Sequence, residues 1–284
     1  MARGLVLEGG AMRGLFTAGV LDVLMENDIE FDGVIGVSAG ACFGCNYITK
    51  QIGRTIRYNL QYAKDERYCS VKAWLRDGDI YPAEFCYHTL PETLDVFDKE
   101  AFEKASTDFY VVATDMETGK AVYHKIDTID YTAMEWIRAS ASMPLFANIV
   151  EANGGLYLDG GVADSIPVKA FQNMGYDSNV TVLTKPRGYR KSNNKLMPLY
   201  RHRYVDYPEF VKAIEERHIN YNEQLRDVFE AEKAGTNFVI CPKSPLPIGH
   251  ITHDRQKIKE TYELGRTEAT ELLPALYRFL ESRG

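Results

Sequence analysis

Short apolar runs alternate with segments of helical spacing through the first fifty residues of the chain. Residues 5–7 and 34–37 are apolar runs that glycines bound or interrupt, as is typical of buried strands. Between them, apolar residues recur at helical spacing from Leu15 to Met25, and residues 39–50 have the composition of a second helix. This strand–helix–strand–helix order predicts a parallel sheet with helices packed on its faces.

The rest of the chain continues the same mixed pattern. Strands are predicted at residues 109–114, 121–124, 156–158, 180–184 and 238–241, and helices at 131–142, 208–233 and 255–282. The turn residues at 117–120 predict a hairpin between the first two of these strands. Residues 58–87 are rich in aromatic side chains, and residues 185–194 are a candidate linker. We therefore expect a single α/β domain over residues 1–284, with a mainly helical C-terminal part.

Composition narrows the classes of protein that this chain can belong to. The apolar fraction is 45% and the charged fraction 26%, which is typical of a folded chain and excludes disorder as its main state. A net charge of −7 argues against nucleic-acid binding. Five cysteines fit a reducing compartment. No stretch has the roughly 7–15 apolar residues of a secretory signal at the start, or the ~20 of a membrane span, so we expect a cytoplasmic protein.

The strongest chemical motif is the pentapeptide from Gly36 to Gly40, which matches G-x-S-x-G around Ser38. It lies between a predicted strand and a predicted helix, the place where this motif presents a nucleophilic serine on a sharp turn. The helix that follows would point its N-terminus, with unpaired N–H groups, towards the reacting oxygen. A glycine-rich turn with a serine helix cap is the alternative interpretation.

A second glycine-rich turn, from Glu8 to Gly14, also follows a strand and precedes a helix. Its glycines can present backbone N–H groups to an anion. One interpretation is a dinucleotide site; however, the acidic residue of that fingerprint belongs at the end of the second strand, and this strand ends beside Ser38. The other interpretation is an oxyanion hole beside a nucleophile, which uses both glycine turns together and is favoured here.

A third glycine turn, Asp159-Gly160-Gly161, ends a predicted strand. A solvent-facing turn would explain it alone. Three glycine-marked strand ends in one α/β sheet are nevertheless expected to meet at its carboxyl edge, where such folds bind their ligands.

Together, the glycine-rich loop, G-x-S-x-G and D-G-G resemble the patatin-like phospholipases, a family of acyl-ester hydrolases. The stretch from Arg138 to Phe146, followed by Ile166-Pro167 after the D-G-G turn, is similar to the second conserved block of that family. The resemblance covers roughly residues 3–185. It implies a three-layer α/β/α fold with a central, mostly parallel sheet, which residues 186–284 would complete.

The resemblance also implies a role for each motif residue. Ser38 is the expected nucleophile and Asp159 its base, without metal or nucleotide cofactor. The oxyanion hole maps to Gly9, Gly10, Ala11 and Arg13, and Gly36 and Gly40 flank the nucleophile. Glu8 and Ala11 stand where the family commonly has Asp and Gly, and Ser165 where Asn is frequent. Ala11 keeps its N–H donor, so we expect these departures to matter little.

The expected reaction is ester cleavage through an acyl-enzyme on Ser38, with a lipid or another acyl ester as substrate. A free aspartate has a pKa near 3.9, too low for an efficient base at neutral pH, so burial must raise the pKa of Asp159. A Ser-His-Asp triad is the alternative mechanism, for which His124, His218, His250 and His253 are available. A nucleotide-binding protein that uses the turn from Gly9 to Gly14 is the alternative from another class.

Three further features have weaker interpretations. Cys42 and Cys45 resemble a redox or metal pair but are better explained as small helix-packing residues. The aromatic residues within 58–87 would line an acyl pocket or pack in the core. The segment from Lys185 to Arg203 holds seven basic residues and no acidic one, against 26 basic and 40 acidic residues elsewhere. It is a candidate for a solvated loop, a lid or a transient contact with a membrane surface.

Overall fold

A computed structural model describes residues 1–283 and contains an eight-stranded sheet. The strands are β1 (Arg3–Leu7), β2 (Gly33–Val37), β3 (Asp108–Asp115), β4 (Ala121–Ile126), β5 (Val150–Ala152), β6 (Gly155–Asp159), β7 (Ser178–Val182) and β8 (Asn237–Ile240). The sheet order is β5-β6-β3-β2-β1-β7-β8, and β4 also pairs with β3. Strands β3, β2, β1, β7 and β8 are mutually parallel, whereas β4 and β6 run antiparallel to β3.

Helices cover both faces of this sheet. They are α1 (Gly14–Glu26), α2 (Ala39–Ile48), α3 (Arg54–Gln61), α4 (Val71–Asp77), α5 (Lys99–Lys104), α6 (Tyr131–Ala141), α7 (Val168–Asn173), α8 (Met197–Arg203), α9 (Pro208–Lys233) and α10 (Arg255–Glu281), with a π-helix at Glu84–Leu94. Alternate residues of a strand face opposite sides. Leu5 and Leu7 accordingly belong to a core with α1, α2, α6 and α10, and Val6 to a core with α7 and α9. The expected three-layer α/β/α arrangement with a mostly parallel sheet is confirmed.

The longest strand, β3, positions the ends of two other strands. On one edge it pairs with β4, so β2 and β6 follow one another along its other edge. Val37, the last residue of β2, lies opposite Val112, and Asp159, the last residue of β6, lies opposite Ala113. The C-terminal ends of β2 and β6 therefore face each other along β3.

This arrangement differs from the sequence expectation in its cause. The three glycine turns do lie at one edge of the sheet, as expected. However, β6 runs antiparallel to β3, so its last residue reaches that edge from the direction opposite to β2. Gly160 allows the approach, because a Cβ there would lie 2.0 Å from the carbonyl oxygen of Val112. The two long C-terminal helices begin at Pro208 and Arg255, as predicted, whereas the short helices between residues 54 and 104 were not predicted.

The C-terminal part of the chain packs on both faces of the sheet and extends it. Strand β8 pairs with β7, and α9 lies on the second face. Helix α10 crosses α1 at two glycines: a Cβ on Gly19 would lie 2.1 Å from the carbonyl oxygen of Tyr262, and a Cβ on Gly265 would lie 2.0 Å from that of Phe16. Because the two backbones touch there, α10 lies directly against the first helix of the motif-bearing part.

The segment from Lys185 to Arg203 is a loop followed by α8, and contacts with α9 fix its first half. Asn222 exchanges two hydrogen bonds with the backbone of Lys191, at 2.8 and 2.9 Å. The Tyr189 ring packs edge-on against Tyr221, and Arg187 forms an ion pair with Glu232. Among residues 1–283, no helix combines the length and apolar character that crossing a bilayer requires.

Candidate active site

Ser38 occupies the sharp turn between β2 and α2. Its backbone has φ 55° and ψ −122°, a conformation that a residue with a side chain rarely adopts and that costs free energy. Close packing on both sides maintains it: a Cβ on Gly40 would lie 2.4 Å from the carbonyl oxygen of Leu7, and one on Gly36 would lie 2.6 Å from Cα of Ala41. The Ser38 N–H donates a hydrogen bond to Oγ of Ser140 at 2.9 Å. The turn thus holds the serine in one orientation.

Asp159 lies directly against that serine. The Ser38 hydroxyl donates a hydrogen bond to Oδ2 of Asp159 at 2.7 Å, and the Gly161 N–H donates to Oδ1 at 2.8 Å. The backbone of Asp159 is bonded on both sides, to the carbonyl of Ser142 and to the hydroxyl of Thr114. Burial raises the pKa of this carboxyl above its ordinary value, although nearby Arg217 partly offsets the effect.

The first glycine turn lies against the same serine. A Cβ on Gly9 would lie 2.9 Å from Cβ of Ser38, so the two turns are in contact. Ala11 has a positive φ of 49°, and among the described residues the N–H groups of Gly9, Gly10 and Ala11 donate no hydrogen bond. Arg13 instead uses its N–H to close the turn onto Gly10, and its guanidinium contacts Nε2 of His250 at 2.8 Å.

Glu8 supports this turn from below. It is 3% exposed and its two carboxylate oxygens are both engaged. Oε1 accepts a hydrogen bond from the Tyr221 hydroxyl at 2.5 Å, and Oε2 accepts one from the Thr184 N–H at 2.5 Å. The Thr184 hydroxyl also donates to the carbonyl of Gly9. Glu8, which replaces a common Asp of the family, therefore ties β1 to β7 and α9 and is not in contact with Ser38.

The histidines that were candidates for a triad lie in other environments. Within residues 1–283, none of them bonds to Ser38 or Asp159. His124 stacks on Trp136, His218 contacts the carbonyl of Glu215, and His253 contacts the carbonyl of Ala63. His250 contacts Arg13, and burial together with neighbouring cations lowers its pKa to about 4.

The cysteine pair lies on α2, below Ser38. Burial raises the pKa of Cys42 to about 12 and that of Cys45 to about 11, so both thiols stay protonated. Among the described residues, no three histidine, cysteine or acidic side chains come together as a metal site. The pair packs in the helix and forms part of a cleft wall.

That cleft is largely apolar and opens beside Ser38. Its volume, including the open mouth, is about 920 Å³. One wall is α2, with Ala39, Cys42 and Cys45, and another is the π-helix, with Tyr87, Leu90 and Pro91. Three further tyrosines of the aromatic segment, Tyr58, Tyr68 and Tyr81, also line it. These residues both pack with the core and form the cleft.

Three residues near Ser38 and Asp159 were not singled out for a role from the sequence. Ser140 belongs to the block from Arg138 to Phe146, but nothing in the sequence indicates that its hydroxyl accepts the Ser38 N–H. Arg217 and Tyr221 lie one turn apart on α9, where they follow the ordinary spacing of a helix face. No local pattern distinguishes them, because their proximity to the site arises only when α9 packs on the sheet.

Two family profiles match parts of this chain. The profile of a family described as patatin-like phospholipase matches residues 5–171, and a domain of unknown function (DUF6363) matches residues 207–281. The Escherichia coli protein YjjU, described as uncharacterized, is 27% identical over 280 residues, which span 92% of this chain and 74% of YjjU.

Other relatives share only part of their length with this chain. The lysophospholipase nte1 of Aspergillus niger is 27% identical over 185 residues, which span 61% of this chain and 11% of that protein. Among solved structures, VipD from Legionella pneumophila aligns with 96% of this chain and 67% of its own, at 11% identity and a TM-score of 0.47.

The cleft generates a prediction about ligand binding. We expect it to bind a long alkyl chain, which a dansyl-labelled fatty acid would report by fluorescence. The Cys45→Trp variant fills the cleft beside α2 and should weaken binding about tenfold, since each excluded methylene removes roughly 0.8 kcal/mol of apolar burial.

The matched control is Cys45→Ser, which keeps the space open and should bind the probe as the parent does. Thermal unfolding of both variants shows whether the larger side chain is accommodated. Unchanged probe affinity in a folded Cys45→Trp protein would place the alkyl chain elsewhere.

Proposed function

This chain belongs to the patatin-like phospholipase family of lipid ester hydrolases, and we propose that it cleaves acyl esters with Ser38 as nucleophile and Asp159 as base. The observation that carries the proposal is the 2.7 Å hydrogen bond from the Ser38 hydroxyl to Oδ2 of Asp159. A hydroxyl bonded directly to a carboxylate has an acceptor ready for its proton. No histidine is needed between them.

The first half of the reaction acylates the serine. Oγ of Ser38 attacks the ester carbonyl carbon while its proton passes to Oδ2 of Asp159. The tetrahedral intermediate then collapses, the bond to the leaving oxygen breaks, and the alcohol departs with the proton from Asp159. Burial of Asp159 assists this exchange, because its raised pKa makes the carboxylate a better base than an exposed aspartate.

The second half returns the serine to its starting state. Water attacks the acyl carbon of the acyl-enzyme and gives a proton to Asp159. The carboxylic acid leaves, and Asp159 returns the proton to Ser38. In both halves negative charge develops on the former carbonyl oxygen, and the N–H groups of Gly9, Gly10 and Ala11 are its proposed donors. The Ser38 N–H already donates a hydrogen bond to Ser140, so the first glycine turn is the better source of donors for this oxygen.

The apolar cleft supports the proposal that the acyl group of the substrate is a lipid chain. Its walls along α2 and the π-helix begin at Ser38, so a chain lying in the cleft would bring its carbonyl carbon to the hydroxyl. The name of the Aspergillus relative supports a single-chain phospholipid among the substrates. We also infer that residues 186–284 belong to the same domain as the motif-bearing part, because β8 extends the sheet and α10 packs on α1.

The direct test is covalent labelling. A fluorophosphonate probe should attach to Ser38 in the native protein, and mass spectrometry of the digested adduct locates it. Ser38→Ala should abolish both labelling and hydrolysis of p-nitrophenyl esters. Asp159→Asn should lower kcat by about 100-fold or more, the scale of a lost general base. Each His→Ala variant should retain activity.

Two results would contradict the dyad. One is labelling at another residue. The other is an Asp159→Asn enzyme that stays active while one His→Ala variant fails.

The pKa of Asp159 predicts the pH dependence. Only the carboxylate accepts the serine proton, so kcat/KM should fall as pH drops through the raised pKa of Asp159, at a pH above the ~3.9 of a free aspartate. Arg217 lowers that pKa, so Arg217→Gln should raise it further and move the acid limb of the profile to higher pH.

Arg226→Gln, on an exposed part of the same helix, removes the same charge and should leave the profile in place. A limb that moves to lower pH in Arg217→Gln would disprove the assignment of this limb to Asp159.

We further propose that the second half of the segment from Lys185 to Arg203 contacts lipid surfaces. Leu196 and Leu199 are 47% and 50% exposed there, and the exposed Arg201 and Arg203 follow them. Apolar side chains beside cations suit an anionic lipid surface. The double variant Leu196→Ser/Leu199→Ser should bind phosphatidylglycerol vesicles about tenfold more weakly in a sedimentation assay, because it loses apolar burial.

Ile219→Ser serves as the control, since Ile219 on α9 is also 50% exposed. Equal vesicle binding by the parent and the double variant would exclude this segment as the contact.

A further inference from the structure

Four cationic side chains lie near one another on the turn before α1, the loop after β7, and α9, and two of them, Lys191 and Arg217, lie near Asp159. They are Arg13, Lys185, Lys191 and Arg217, all of them half-buried, and we call them the cationic cluster. Among the described residues, none of the four forms an ion pair within 4.0 Å. Charged groups held away from water without a partner are costly, so a set of four indicates that an anion binds among them.

The cluster adjoins the reacting atoms. A Cβ on Gly161 would lie 3.0 Å from Nη2 of Arg217 and 3.0 Å from Oδ1 of Asp159, so the guanidinium borders the turn that carries the base. Lys185 lies over the ring of Tyr189 and Lys191 over that of Tyr221, at 4.7 and 4.8 Å. The four side chains therefore extend from the proposed base to the glycine turn.

The charges that face the cluster do not neutralise it. Its neighbouring carboxylates are Glu8 and Asp159, which are both buried and bonded to other groups. Burial and the other cations lower the pKa of Lys191 to about 7, and the same cations contribute to the low pKa of His250. Burial is the larger cause of both shifts, and the contribution of the other cations is the one that a cluster of like charges produces.

The cationic cluster lies outside the apolar cleft. Ser38 lines that cleft and none of the four cations does, whereas Arg217 borders the turn that carries Asp159. An ester whose acyl chain fills the cleft would then have its leaving alcohol on the side of the cluster. The charge of the leaving group is the property that this arrangement selects.

We propose that the cationic cluster binds a phosphate monoester on the leaving alcohol, so that the enzyme prefers single-chain acyl esters of glycerol phosphate to neutral or zwitterionic ones. This specificity rests on the proposed hydrolase function. A phosphate monoester carries nearly two negative charges at neutral pH and accepts several charge-assisted hydrogen bonds. A choline head group would make fewer favourable contacts here. The lysines already cover faces of Tyr189 and Tyr221, and both neighbouring carboxylates are engaged in other hydrogen bonds.

The test compares three esters that share one acyl chain: 1-palmitoyl-glycerol 3-phosphate, 1-palmitoyl-glycerol and 1-palmitoyl-glycero-3-phosphocholine, each at the same mole fraction in neutral detergent micelles. The parent enzyme should show the lowest KM for the phosphate monoester. Lys185→Gln and Lys191→Gln should each raise that KM about tenfold relative to the KM for 1-palmitoyl-glycerol, the scale of one lost charge-assisted contact. The ratio of the two kcat values should change little.

Two control variants separate the cluster from general surface charge. Lys259→Gln removes an exposed charge on α10 and should leave the KM ratio unchanged. Lys195→Gln removes an exposed charge on the segment proposed to contact lipid, and should affect the three esters alike. A Lys195→Gln variant that shifts the ratio as much as Lys191→Gln would overturn the proposal in favour of attraction to the charged micelle.

Soluble competitors identify the source of the phosphate. Glycerol 3-phosphate should inhibit hydrolysis of 1-palmitoyl-glycerol competitively, and less in Lys191→Gln. Stronger inhibition by inorganic phosphate than by glycerol 3-phosphate would overturn the lipid assignment and indicate a site for free phosphate. Equal KM values for the three esters in the parent would likewise overturn it. Failure of the proposed function looks different: no ester is hydrolysed and the fluorophosphonate does not label Ser38.

Discussion

The hydrogen bond between Ser38 and Asp159 depends on the register of β3. Val112 and Ala113 are consecutive residues of that strand, and they pair with the last residue of β2 and the last residue of β6. A shift of either strand by one residue would turn its side chains to the opposite face of the sheet and separate the two groups. Gly160, the hydrogen bond that Asp159 accepts from Thr114 and the one that it donates to Ser142 then hold the second strand end in place.

Sequence reasoning predicted seven of the eight strands and the longer helices from local patterns, and it singled out the two groups that now lie in contact from their motifs and the family resemblance. Apolar periodicity marked the strands and both long helices, and the glycines marked strand ends where backbones come close. It did not predict that β6 approaches in the antiparallel direction, or that Arg217 borders the Asp159 turn. Those facts depend on contacts between residues more than forty positions apart, which no local spacing records.

The site divides polarity around one serine. Apolar side chains of α2 and the π-helix line the cleft at Ser38, and the cationic cluster, from three separate parts of the chain, lies outside that cleft. The net charge of −7 hides this division, since it averages a local excess of positive charge with an acidic remainder. The proposed substrate would accordingly bind in one orientation, with its acyl chain in the cleft and its phosphate at the cationic cluster.

Helix α9 has a consequence for how proteins of this architecture diverge. It belongs to the region that matches a second family profile, yet Tyr221 bonds to Glu8 beneath the glycine turn and Gln224 accepts hydrogen bonds from the backbone just after the Asp159 turn. Part of the surroundings of Ser38 and Asp159 thus lies in a different stretch of the gene from the motif residues. Mutations in the C-terminal stretch can retune what surrounds the reacting ester while every motif residue stays constant, so relatives with identical motifs are free to evolve different substrates.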